Sequence, residues 1–113
     1  MNDTINFSDS WNGKLKCGCF TTFRLVSGKY KINKSYKIVL KGKFIGTATI
    51  KGMRITKLDK INEFVSFLDT GYEPETFKKI VRTMYKNKVA NVDEADFYYI
   101  LLRWDREPQL NFN

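Results

Sequence analysis

The chain has no histidine, only two cysteines and only two prolines. Without histidine, the Ser-His and Cys-His nucleophile pairs are excluded, and so are the ligand sets of most catalytic zinc sites. Cys17 and Cys19 stand two residues apart and so share a face of any strand that carries them. A disulfide between them would be strained, and two thiolates without histidine do not complete a structural zinc site. They are expected to be reduced, structural cysteines, with no metal and no cofactor. The glycines occur singly, so no phosphate-cradling loop of the Walker or Rossmann type is present. No run approaches the roughly 18 to 20 apolar residues of a membrane-spanning helix, and the first residues do not set a basic region before an apolar one. The expectation is a cytoplasmic protein with no membrane association.

Acidic residues are scarce in one half only. Residues 1 to 58 carry twelve Lys or Arg against Asp3 and Asp9, a balance of +10, whereas residues 59 to 113 carry eight basic and ten acidic groups, a balance of −2. The excess positive charge therefore sits entirely in the first half. Such a field attracts polyanions, and for nucleic acid the gain comes largely from counterion release as phosphates are neutralised. RNA, or DNA, is the expected partner. Lysine-rich strands also serve plain solubility. At 113 residues with 42% hydrophobic and 15% aromatic content, the chain suits one folded domain.

Residues 1–12 read as an irregular lead-in or a short helical turn, 13–106 as the domain and 107–113 as a tail. From Cys17 to Val26 a period of two places Cys19, Thr21, Phe23 and Leu25 on one side and Thr22 with Arg24 on the other. Tyr36, Ile38 and Leu40 alternate with polar or smaller neighbours as in a half-buried strand, Lys41-Gly42-Lys43 makes a tight hairpin turn, and Phe44 to Ile50 follows as a strand. Gly46 and Ala48 leave room for a close neighbour, and Gly52 marks a bend or bulge before a further strand at Met53 to Lys57. Asp59 is the expected N-cap of a helix with Ile61, Phe64, Val65 and Leu68 inward, stopped by Thr70-Gly71. Pro74 opens a second helix whose apolar face is Phe77, Ile80, Val81 and Met84, with Lys78, Arg82 and Lys86 on its outer side. Phe97 to Trp104 reads as a central strand buried on two sides. The order implies an α+β fold, a small, partly closed β-barrel with two helices packed over it.

On the first strand a hydroxyl and a guanidinium two residues apart, Thr22 and Arg24, can together hold a phosphate or a base edge. Thr22-Phe23-Arg24 resembles the T-x-R signature of the ASCH domain family in the PUA-like superfamily, and Gly46 to Ile50 resembles its G-x-A-x-I. Asp69-Thr70-Gly71-Tyr72 followed by the helix from Phe77 to Tyr85, and the closing strand Tyr98 to Trp104, are similar to the family in the same order. The match runs over residues 13 to 106. It implies a PUA-like barrel, a cleft lined by the T-x-R strand, and RNA binding or processing. Thr21, Thr22 and Arg24 would line that cleft, with Lys41, Lys43, Lys51, Arg54 and Arg103 around it and Tyr72 and Trp104 stacking on bases.

One branch of the family is an amidohydrolase acting on acetylated cytidine through a Lys, a Thr and a Glu. Thr22 matches the Thr, Cys19 stands where the Lys belongs, and the Glu falls near Asp69 or Thr70. The reading is therefore a monomeric binder rather than an enzyme. For an enzyme on RNA or a modified nucleoside the candidates are Thr22 with Asp69 or Glu73 and, reaching in from another direction, Lys14 or Lys16. A module that docks an acidic protein through the lysine-rich face is a third reading.

Overall fold

The computed structural model describes residues 3–8, 15 and 17–106, without the side chains of residues 67, 68 and 70. The roles expected of Lys14, Lys16, Leu68 and the 107–113 tail lie outside the described residues. The described elements are strands β1 (Thr4–Phe7), β2 (Cys19–Leu25), β3 (Ser35–Leu40) and β4 (Lys43–Thr56), helices α1 (Glu63–Thr70) and α2 (Pro74–Tyr85), and strand β5 (Phe97–Trp104). The strands form one sheet in the order β1-β3-β4-β5-β2, parallel between β1 and β3 and antiparallel elsewhere, curled into a half-barrel. The fold is thus α+β, as the order of elements implied.

Alternation along the strands sorts the apolar residues into two cores. Phe20, Ile38, Ile50, Ile100, Leu102 and Trp104 fill the concave side together with Ile5 and Phe7 of β1. Phe23 and Phe97 point the other way and meet Phe77 and Val81 of α2 under the 3-10 turns at Leu58–Lys60 and Val92–Glu94. The helices therefore pack on the convex face at one end of the sheet. The Phe23 and Phe97 rings stack at 4.6 Å between centroids, and Phe77 meets Phe23 edge-on at 5.4 Å.

Several expectations change. The stretch expected to be irregular contains β1, with Ile5 fully buried and Phe7 only 6% exposed, so β1 is part of the sheet and these two side chains are part of its core. Four residues are too short for a strong periodic signal, and a parallel edge strand takes its hydrogen bonds from a distant neighbour. Asp59 lies in a 3-10 turn and caps nothing; the Asn62 side chain accepts from Val65 N, so α1 begins later. With Ile61 extended before the helix, its spacing to Phe64 loses its meaning, and Phe64 faces solvent at 78% exposure. Met84 of α2 is also exposed. The strands expected at Phe44 to Ile50 and Met53 to Lys57 are one strand, since the register shift between Ile50 and Gly52 bulges it without ending its pairing. Phe97 to Trp104 is central, between β4 and β2, but only its first half is buried on both sides; Leu101 and Arg103 are exposed. Cys17 and Cys19 are free and exposed rather than structural.

The hairpin at Lys41-Gly42 is as expected: Leu40 pairs with Lys43, and positive φ at Lys41 (52°) and Gly42 (80°) gives the handedness that two-residue turns need. Gly46 is required twice over. Its φ is +150°, and a Cβ there would lie 3.0 Å from Cζ3 of Trp104. Gly46→Ala is expected to destabilise the fold by about 2 kcal/mol or more, because strained backbone and a displaced core ring act together; urea unfolding measures it.

Asp105 ties β3, β4 and the end of β5 together. Its carboxylate accepts from Ser35 Oγ at 2.5 Å and Thr49 Oγ1 at 2.6 Å, and its backbone N–H donates to Thr47 O at 3.0 Å. Partial burial pushes the carboxyl pKa up, but hydrogen bonds from Ser35, Thr49 and Thr47 and the charge of Lys51 outweigh it and hold the group below the ordinary 3.8. A depressed folded pKa means stability that is present above the unfolded pKa and is lost as pH falls through the folded one. Asp105→Asn is therefore expected to lower the melting temperature at neutral pH and to flatten the loss of stability below about pH 4; thermal melts across that range test both.

Candidate nucleic-acid interface

The half-barrel leaves two edge strands, β1 and β2, facing each other across a seam. Edge strands present unpaired backbone groups, and here one side chain bridges them. Arg24 Nη2 donates to the carbonyl of Asn6 at 2.6 Å, its Nε donates to Thr22 Oγ1 at 2.9 Å, and its guanidinium lies 4.7 Å from the centre of the Phe7 ring. Strand alternation explains the grouping: Thr22 and Arg24 are both on the concave face, opposite Ile100 and Tyr98 of β5. Thr22 is only 3% exposed.

A cleft opens along this seam, with Asn6, Ser8, Thr22 and Arg24 on the sheet side and Met84 and Tyr85 on α2. Its solvent-accessible space is about 50 Å³. That is room for roughly three or four waters, or one phosphate-sized group, and too little to enclose a base. Asp69, 4% exposed, also reaches the cleft, where its Oδ1 accepts from Thr21 Oγ1 at 2.9 Å. Thr22, by contrast, accepts from Arg24 and is not bonded to that carboxylate.

The electrostatics of the seam were not legible in sequence. Burial lowers the pKa of Lys29 and the positive charge of Arg24 lowers it further, against a smaller opposing pull from Asp3. Lys29 Nζ sits 5.5 Å from the centre of the Tyr30 ring. Burial raises the phenol pKa of both Tyr30 and Tyr85, with Arg24 pulling each back down, so both remain protonated donors near neutral pH. Arg24 and Lys29 thus feel each other's charge, and among the described residues neither has a carboxylate within 4 Å. Two cations held in this way are stabilised by an anion between them. Lys29 and Tyr30 are neighbours in the connection between β2 and β3 and Tyr85 ends α2, so only the fold brings them to Arg24.

The other expected residues divide. Lys41 N donates to Phe7 O at 2.9 Å, which sets the Lys41-Lys43 hairpin beside the end of β1 that borders the cleft. Arg103 pairs with Cys19 and Thr49, and Arg54 with Tyr99, which puts both on the convex face; Lys51 is exposed at the β4 bulge. None of these three is brought to Thr22 and Arg24. Thr21 is likewise convex, opposite Leu101, and is held by Asp69. Tyr72 is 43% exposed between the helices, where its carbonyl accepts from the Ser66 hydroxyl. Glu73 is exposed and its carbonyl accepts from Phe77 N at the start of α2. Trp104 is not a stacking platform: it is 6% exposed, packs on Phe20 at 5.1 Å and donates Nε1–H to Leu15 O at 3.2 Å. An indole with its N–H satisfied in the core has no free face to offer.

No family model matches this chain, and neither a curated protein nor a solved structure does.

The bridging role of Arg24 depends on its planar fork. Arg24→Lys keeps the charge but cannot reach Thr22 and Asn6 together, so it is expected to cost about 1 to 2 kcal/mol of stability, and Arg24→Ala somewhat more. Denaturant titration of the two variants gives the comparison.

Proposed function

We propose that the chain is a nucleic-acid-binding domain, with RNA preferred over DNA, that anchors a phosphate of a flexible strand at the β1–β2 seam. The observation that supports it is the group of cations at and around the seam that no acid neutralises. Of the described cations in residues 1 to 58, Lys34 and Lys57 are engaged by Asp3 and Asp96. Arg24, Lys29, Lys31, Lys37, Lys43, Lys51 and Arg54 have no carboxylate within 4 Å among the described residues. Arg24 at a cleft with room for one phosphate, Lys29 in its field and further unmatched cations over the sheet suit a polyanion whose charges are spaced along a chain. The resemblance of Thr22-Phe23-Arg24 and Gly46 to Ile50 to ASCH domains points to RNA in particular. In this reading Arg24 and Lys29 share the phosphate, Thr22 orients Arg24, and Lys41 and Lys43 follow the strand beyond the cleft.

With about four phosphate contacts, the slope of log K against log salt for single-stranded RNA is expected near −3; a flat titration removes the electrostatic mechanism. Lys41→Ala and Lys43→Ala are each expected to weaken binding irrespective of sequence, and more than alanine at Lys51, which the fold sets away from the seam, or at Lys78, Arg82 or Lys86, two of which are already paired. The rival reading, an enzyme on a modified nucleoside, is separated by Thr22→Val. In a binder this substitution costs a few-fold in affinity. In an enzyme it abolishes turnover and spares affinity. Hydrolysis of acetylated cytidine by the wild type, lost in Thr22→Val, would reverse the assignment.

A further inference from the structure

The two helices cover only one end of the convex face. Over the remainder the register places Lys37 opposite Thr47, Ser35 opposite Thr49, Thr49 opposite Arg103, and Gly52 opposite Leu101. The β-bulge at Ile45 turns that residue into the core and puts Phe44 opposite Val39, so the Phe44 ring lies on the convex face, 58% exposed. Leu101 on the same face is 43% exposed. Lys37 and Arg103 are exposed and have no carboxylate within 4 Å among the described residues. Two carboxylates border it: Asp105 is occupied by the Ser35 and Thr49 hydroxyls and lies in the field of Lys51, and Asp3 is paired with Lys34 and lies in the field of Lys37.

We infer that this open convex face is a second contact track, on which a single-stranded nucleic acid lies across β3, β4 and β5 with a base stacked on Phe44 and its phosphates beside Lys37 and Arg103. The inference rests on the nucleic-acid reading of the seam but uses none of the seam residues. An exposed aromatic ring on a rigid strand offers a flat partner to any base, and cations a few residues away meet the backbone of the same strand. From Phe44 to Gly52 the face runs for about 20 Å at roughly 3.3 Å per residue, because the two bulges take up two of the steps. That length suits roughly three to four nucleotides, the short end of the range for single-strand-binding modules. The charge favours a polyanion here over a second copy of this cationic chain, which would set Lys37 and Arg103 against their own kind.

The test is fluorescence-anisotropy binding of an oligouridine of about eight nucleotides to wild type, Phe44→Ala, Phe44→Tyr and Arg24→Ala. Phe44→Ala is expected to weaken binding by about 5- to 100-fold, and Phe44→Tyr, which keeps the ring, to restore it. Lys37→Ala and Arg103→Ala are each expected to reduce the salt slope by about 0.7. Ultraviolet cross-linking of the oligomer to a peptide that contains Phe44 supports the track directly. Phe44→Ala binding like the wild type while Arg24→Ala binds weakly would overturn this inference and leave the seam reading standing. No binding by the wild type removes the seam reading and this one with it. A wild type that sediments as a dimer, and Phe44→Ala as a monomer, without RNA would assign the face to a second copy and overturn the inference. Phe44 is more than half exposed, so its removal leaves the core intact.

Discussion

The contact on which the arrangement depends is the reach of Arg24 across the seam. Curling a five-stranded sheet brings its first and last edges towards each other without giving them hydrogen bonds to share. Arg24 supplies one such bond, to Asn6, and covers the Phe7 ring with its guanidinium plane. The cation that bridges the edges is also the cation at the mouth of the cleft. In the proposed function, stability and ligand attraction are therefore drawn from one side chain, which Thr22 holds at Nε. Lys29 shows the cost of this placement, since its ammonium is both partly desolvated and repelled by the fixed charge of Arg24.

Much of the sheet was legible because its signals are local. The period of two in Cys19 to Leu25 assigned Thr22 and Arg24 to one face correctly, glycine at 42 and 46 marked a left-handed turn and a close approach, and Gly52 marked a bulge. What failed depended on distant partners. β1 is short and parallel, and its identity comes from pairing with β3 some thirty residues later. The start of α1 turned on Asn62, which competes with Asp59 under the same capping rule, and the outcome was decided by how Leu58 and Ile61 seat in the second core. For the interface, the sequence supplied the cations but not their company. Arg24 with Thr22 was legible from spacing alone, whereas Lys29 and Tyr85 join them only through the fold.

Charge is distributed in the fold as it is along the chain, but on two surfaces rather than one. β3, β4 and the β3–β4 turn come from the basic half, so their cations spread over both the seam side and the convex side of the same sheet. The helices come from the acidic half, where Glu75 pairs with Lys78 within α2 and Asp93 of the following turn pairs with Arg82.

The position of β5 has a consequence for how the chain is made. β5 lies between β4 and β2, yet residues 97–104 follow both in sequence. While the ribosome is still adding the helices, β2 has no strand to pair with and one long edge of β4 is bare. Sheet completion must therefore wait for the Phe97–Trp104 segment to emerge, and Phe20, Ile50 and the other concave residues meet Trp104 only then. Such late, long-range closure makes for slow folding, and until it occurs the lysines along β3 and β4 act as gatekeepers that keep an unfinished sheet from pairing with another chain.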